Sequence, residues 1–177
     1  HVHLDGARLF NAALFLNCEV SDITQYCDSV MFCLSKGLCA PVGSMLCGSK
    51  EFIESARRYR KMLGGAMRQA GFLAAAGLIA LNEMPQYLIN DHQNAQRLAQ
   101  AINNIPDLQV TQPVDINMVF FKISKPDFNH QHFWHYLTNA NIKFNPSLSE
   151  YRFVTNHDVT SDDIDYLISL LEVYFNA

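Results

Sequence analysis

The sequence predicts an α/β chain, part of a mainly parallel sheet with helical crossovers, followed by a smaller α+β region. Three observations carry this. "HVHLD" (His1 to Asp5) alternates in polarity and gives way to "GARLFNAALF", after which "SVMFCLS" (Ser29 to Ser35) returns to a strand-like run. Strand, helical crossover and strand is the order that parallel pairing requires. After about residue 105 the text changes to short, closely spaced elements, "LQVTQ", "NMVFFKIS", "FNHQHFWHYLTNA" and "YRFVT", as a small mixed domain would.

Each element follows from its own pattern. The first strand ends near Asp5, where Gly6 breaks the alternation, and the apolar spacing that follows is helical. The stretch "VMFCLSKGLCAPVGSMLCG" (Val30 to Gly48) holds a single charge, Lys36, and reads as two buried strands joined by a turn. It is not a membrane span: Gly37, Pro41 and Gly43 interrupt it, and a central lysine would cost roughly 3 kcal/mol in lipid. "KEFIESARRYRKML" is an amphipathic helix, and "QAGFLAAAGLIALNEM" is apolar on nearly every side, as a helix buried between layers should be. Pro85 opens a third helix with solvated polar faces. The last helix, "SDDIDYLISLLEVYF", is introduced by Thr160 with Asp163 three residues later, a capping box.

Composition excludes several classes. With 177 residues, 49% hydrophobic and 17% charged, the chain can bury a real core. A formal net charge of -4 gives no broad basic field for a nucleic-acid backbone. The five cysteines form no CxxC pair and lie mostly among apolar residues, which predicts reduced, buried thiols in a cytoplasmic setting rather than a disulfide framework. The opening residues read as a strand already in progress, so the chain is expected to be the later part of a longer one.

Two residues at predicted strand ends carry the chemistry. A lysine desolvated at the end of a buried strand, as Lys36 is expected to be, keeps a neutral amine, which forms an imine with a carbonyl. An aspartate at the end of the adjacent strand, Asp5, can hold a cationic ring nitrogen, the pairing expected around pyridoxal phosphate. From spacing alone the plainer readings also stand: Lys36 snorkelling out of a turn, and Asp5 capping the following helix.

The motifs go further. "HLDGARLFNA" (His3 to Ala12), "SKGLCAPVGS" (Ser35 to Ser44) and "RKMLGGAMRQAG" (Arg60 to Gly71), continued by "YRFVTNHDVT", resemble the low-specificity threonine aldolases over essentially the whole chain. That resemblance implies a fold type I pyridoxal-phosphate enzyme, with residues 1–83 as the carboxyl-terminal part of the large cofactor-binding domain and residues 84–177 as the small α+β domain. It implies an aldehyde-lyase that cleaves L-threonine or L-allo-threonine, a β-hydroxy amino acid, to glycine and acetaldehyde. By the same resemblance Lys36 carries the covalent imine to pyridoxal 5'-phosphate, Asp5 pairs with the pyridine nitrogen and Arg8 approaches the 3-oxygen. Arg68 reaches a cofactor phosphate, that of a neighbouring subunit, and Arg152 clamps the substrate carboxylate. Two positions depart from the family pattern: Cys39 and Ala66 stand where glycines are common, and Ala66 would be strained at positive φ.

The resemblance also implies a homotetramer. It leaves the general base, the ring-stacking histidine and the phosphate loop to the missing amino-terminal part of the same polypeptide. A metal site in "HQHFWH" (His130 to His135) is not expected, because no carboxylate or cysteine stands beside the imidazoles. The rival readings are another enzyme of the same fold, a β-eliminating lyase or an aminotransferase-like protein, and a non-catalytic oligomerisation fragment.

Overall fold

The computed structural model describes residues 1–147 and 149–176, and they form two compact units, His1–Leu88 and Ile89–Ala177. Among the described residues no single helix is long and apolar enough to cross a membrane.

In the first unit, β1 (His3–Asp5) leads through α1 (Leu9–Leu16) and a short α2 (Val20–Thr24) to β2 (Ser29–Cys33). The two strands pair in parallel, with Asp5 opposite Met31, as the strand–crossover–strand pattern requires. The other pairing differs from a parallel sheet: β3 (Ser44–Gly48) runs antiparallel to β2, because the loop between them is too short to carry a crossover. Helix α3 (Lys50–Met62) starts at Ser49, whose Oγ accepts the Phe52 N–H at 3.2 Å, and α4 (Gly71–Asn82) follows.

Burial here departs from expectation. The two strands read as buried are not: every residue of β3 is exposed, and in β2 Val30 alone is buried. Helix α4, apolar on all sides, buries Gly77 and Ala80 while Phe72 and Leu78 stand 69% and 60% exposed. A helix apolar all round needs layers on every side, and this unit provides a small cluster of Leu34, Leu38, Ala40, Ala80 and Leu88.

The second unit encloses its core. Helix α5 (Leu88–Asn104) precedes β4 (Leu108–Val110), β5 (Met118–Ile123), α6 (His130–Asn139), β6 (Tyr151–Val154) and α7 (Ser161–Asn176). The sheet is antiparallel in the order β4-β5-β6. Alternation along β5 and β6 turns Val119, Phe121, Tyr151 and Phe153 inward, where they meet Leu98, Phe133, Leu137 and Leu171 from the three helices. The expected capping box forms: the Thr160 N–H donates to Asp163 Oδ2 at 2.9 Å and the Asp163 N–H donates to Thr160 Oγ1 at 3.2 Å. Helix α5 differs from expectation, since two of its polar residues, Asp91 and His92, fall on the buried stripe. Position on the helix outranks polarity there: 91, 92, 95, 98, 99 and 102 share one face.

Candidate active site

Asp5 is the last residue of β1, and Lys36 lies three residues beyond the end of β2, so both follow the carboxyl ends of parallel neighbours. That is where parallel sheets gather their ligands. The turn out of β1 is tight: the Gly6 N–H donates to Met31 O at 2.8 Å, and a Cβ on Gly6 would stand 2.8 Å from that same oxygen. Any other residue after Asp5 would push β1 away from β2. Asp5 does not cap the helix that follows. Its Oδ1 accepts the Ala7 N–H at 3.3 Å, while the cap position of α1 is Arg8, without a side-chain cap. Arg8, half-buried, stands at the same end of the sheet as Asp5.

Lys36 rides on a closed loop. The Ala40 N–H donates to Leu34 O at 2.9 Å, and within that closure the Cys39 N–H donates to Lys36 O at 2.9 Å. Leu34, Leu38 and Ala40 are buried and anchor the loop, whereas Ser35, Lys36 and Cys39 are exposed. Lys36 therefore departs from the expected desolvated amine: the apolar character of the stretch belongs to its anchors, and the lysine projects from the tip. The backbone strain also falls elsewhere than expected. Ala66 is not at positive φ, but Cys39 is, at 60°, and its thiol donates to Gly37 O at 3.4 Å. The thiols as a group are less covered than expected, Cys18, Cys27 and Cys33 being half-buried and Cys39 and Cys47 exposed, and all five are free.

The remaining residues stand further along the chain. Arg68 is exposed in the segment between α3 and α4, and no recorded contact joins it to Asp5 or Lys36. Arg152 belongs to the second unit, on the exposed face of β6 opposite Phe120. It lines a cleft of about 540 Å³ whose wall mixes apolar side chains, Phe144, Ile164 and Leu167 among them, with Lys143, Asp158 and Asp163. The α6 histidines bind side chains of their own unit. His130 Nδ1 shares a 2.6 Å hydrogen bond with the Tyr151 hydroxyl, whose pKa burial pushes up to about 12, and His132 Nδ1 pairs with the Tyr174 hydroxyl at 2.7 Å. Among the described residues no group of three or more His, Cys, Asp or Glu could hold a metal ion.

One contact had no forecast in sequence. Asn11 of α1, 3% exposed, packs against Gly37 beside Lys36. Its signal was available: a lone amide within an otherwise apolar helix.

The chain is 42% identical to a low-specificity L-threonine aldolase of Escherichia coli, over 92% of this chain and 47% of that protein. It is 39% identical to low-specificity L-threonine aldolase 1 of Arabidopsis thaliana, over 97% of this chain and 49% of the relative. The chain thus spans about half the length of the curated relatives it matches. Among solved structures, a threonine aldolase of Leishmania major superposes with a TM-score of 0.72 at 15% identity, covering 98% of this chain and 51% of that one. That likeness concerns the fold, which is fold type I. The family model described as beta-eliminating lyase matches residues 1–125, well over half of the sequence, and the chain belongs to that family.

Proposed function

We propose that the complete protein is an aldehyde-lyase that cleaves L-threonine and L-allo-threonine to glycine and acetaldehyde, with pyridoxal 5'-phosphate as its cofactor. The observation that carries the reading is that Asp5, at the end of β1, and Lys36, on a closed loop after β2, both follow the carboxyl ends of two paired parallel strands. The threonine aldolases among the relatives support it.

The donor set suits the cofactor. Lys36 offers an amine to its aldehyde, Asp5 a carboxylate to its ring nitrogen and Arg8 a guanidinium to its phenolic oxygen, while Arg68 offers a fork for phosphate oxygens. The glycine after Asp5 and the glycine after Lys36 let the backbone approach its neighbours closely, since a Cβ would stand 2.8 Å from Met31 O at the first and 2.8 Å from Leu88 Cδ2 at the second. When bound, the cofactor supplies an electron sink for the pair left as the substrate's Cα–Cβ bond breaks. Lys36 would hold the cofactor through Nζ, Asp5 would stabilise positive charge on its ring nitrogen, and Arg8 would keep its phenolic oxygen ionised. Arg152 would hold the substrate carboxylate and so orient the bond that breaks. The base that takes the β-hydroxyl proton comes from polypeptide beyond these 177 residues.

In this reading residues 1–83 complete a large cofactor domain, residues 84–177 form the small domain, and a cytoplasmic homotetramer lets Arg68 reach a neighbour's phosphate. Native mass measurement tests the assembly: a monomer that turns over threonine would remove that role from Arg68. For the reaction, the full-length protein is supplied with threonine, allo-threonine and serine, and acetaldehyde and glycine are assayed. Lys36→Ala is expected to abolish both turnover and the visible absorption of bound cofactor. A second reading, β-elimination, draws on the description of the matching family model. Pyruvate and ammonia from serine, without acetaldehyde from threonine, would establish it and reject the aldolase.

A further inference from the structure

We propose that Asn11 is a positioning residue for Lys36, acting through Gly37. A Cβ built on Gly37 would lie 3.2 Å from Asn11 Oδ1, 3.8 Å from Asn11 Nδ2 and 2.8 Å from Leu88 Cδ2. The residue that follows Lys36 is therefore held between an amide and a leucine, and a side chain there would require the ends of Leu88 and Asn11 to shift. Asn11 itself is 3% exposed, and, standing two positions from both Leu9 and Ala13, it lies on the opposite side of α1 from that pair. The helix thus turns Leu9 and Ala13 one way and Asn11 towards the lysine loop.

Helix α1 is the link between the two reactive side chains. It grows directly out of the Asp5 turn, where the Leu9 N–H donates to Gly6 O at 2.8 Å and the Ala12 N–H donates to Arg8 O at 3.0 Å. One helical turn later, Asn11 abuts the lysine loop. Strand pairing fixes Asp5 against Met31, and hydrogen bonds with buried anchors close the loop from 34 to 40 on itself. The Asn11–Gly37 contact ties that loop to the helix that grows from the Asp5 turn, and so sets the lysine's backbone relative to that of Asp5. The inference rests on the imine role assigned to Lys36 under the proposed function.

The test uses the full-length protein and two variants that approach the contact from opposite sides, Asn11→Leu and Gly37→Ala. In the loaded enzyme each is expected to lower kcat for threonine by about tenfold with KM nearly unchanged, as a misplaced reacting group does. Each is also expected to shift the pH midpoint of the cofactor's visible band, which a merely structural loss would leave in place. Because both remove one contact, the double variant should be no worse than the worse single one. In cofactor-free protein, reductive labelling with a small aldehyde and borohydride, located by mass spectrometry, gives a second readout: the rate at which Lys36 is labelled should change in both variants. An unchanged band midpoint and labelling rate, or effects of the two substitutions that multiply, would overturn the proposal. A variant that does not fold is replaced by Asn11→Ser, read in the same two ways. Failure of the parent reading looks different, since wild-type protein would then show no visible band while the labelling rate still reports on Asn11.

Discussion

The two units have nearly the same length but treat apolar surface in opposite ways. In the second, Phe133, Leu137 and Leu171 lose all contact with solvent between three helices and one face of a sheet. In the first, Met62 and Leu63 at the end of α3 are 78% and 86% exposed, and α4 shows Ile79 and Phe72 to water beside its two buried residues. Both helices of the contrast, α4 and α6, carry ample apolar side chains; what differs is the number of layers available to cover them. Apolar composition states a demand for burial, and topology decides whether one unit can meet it.

The sharpest break of this comparison is to separate the units. Residues 89–177 alone are expected to unfold cooperatively on heating, whereas residues 1–88 alone should bind a hydrophobic dye and exchange their amides rapidly. Cooperative melting of the first piece would erase the distinction. Next in size is a matched pair of truncations in the 177-residue chain. Phe133→Ala should cost about 3–5 kcal/mol, followed in urea by the single tryptophan, Trp134, which lies in the same unit. Phe72→Ala should change amide protection in the first unit by less than about 0.5 kcal/mol, because its ring is already in water.

The smallest effects concern protons. Asp91 is buried with Oδ2 unpartnered among the described residues, and burial, opposed by His157 and reinforced by Asp158, raises its pKa from 3.8 to about 6. Its folded pKa lies above its unfolded one, so the stability that it contributes is complete below about pH 4 and is lost as pH rises through about 6. Asp91→Asn should flatten that slope, worth on the order of 2 kcal/mol, in melting curves taken between pH 4 and 7. Asp163 has the opposite sign. The hydrogen bonds from the Thr160 hydroxyl and N–H lower its pKa, so its contribution is present above about pH 4 and lost on further acidification. Thr160→Ala, which deletes the hydroxyl but keeps the N–H, should reduce that acid-side loss and leave the Asp91 slope intact.

Local order was legible in sequence, and burial was not. The alternation of "HVHLD", the helical crossover and "SVMFCLS" placed Asp5 and Lys36 at strand ends, because periodicity and chain order are local properties. The Thr160–Asp163 capping box was equally plain. By contrast, α2 escaped notice because its capping box uses Glu19 with Asp22, and glutamate is not a favoured cap. The burial of Asp91, the exposure of Lys36 and the tyrosine partners of His130 and His132 all depend on which distant elements pack where. Asn11 and Gly37 are 26 positions apart, and only the folded α1 brings them together.

The left-handed backbone at Cys39 offers a practical handle. Cys39 is exposed three residues after Lys36, and the other exposed cysteine is Cys47 in β3. With Cys47 replaced by serine, a maleimide dye or nitroxide attached at position 39 would sit on the lysine-bearing loop with the anchors beneath it undisturbed. Such a label would report, in real time, when that loop is gripped by a ligand and when it is released.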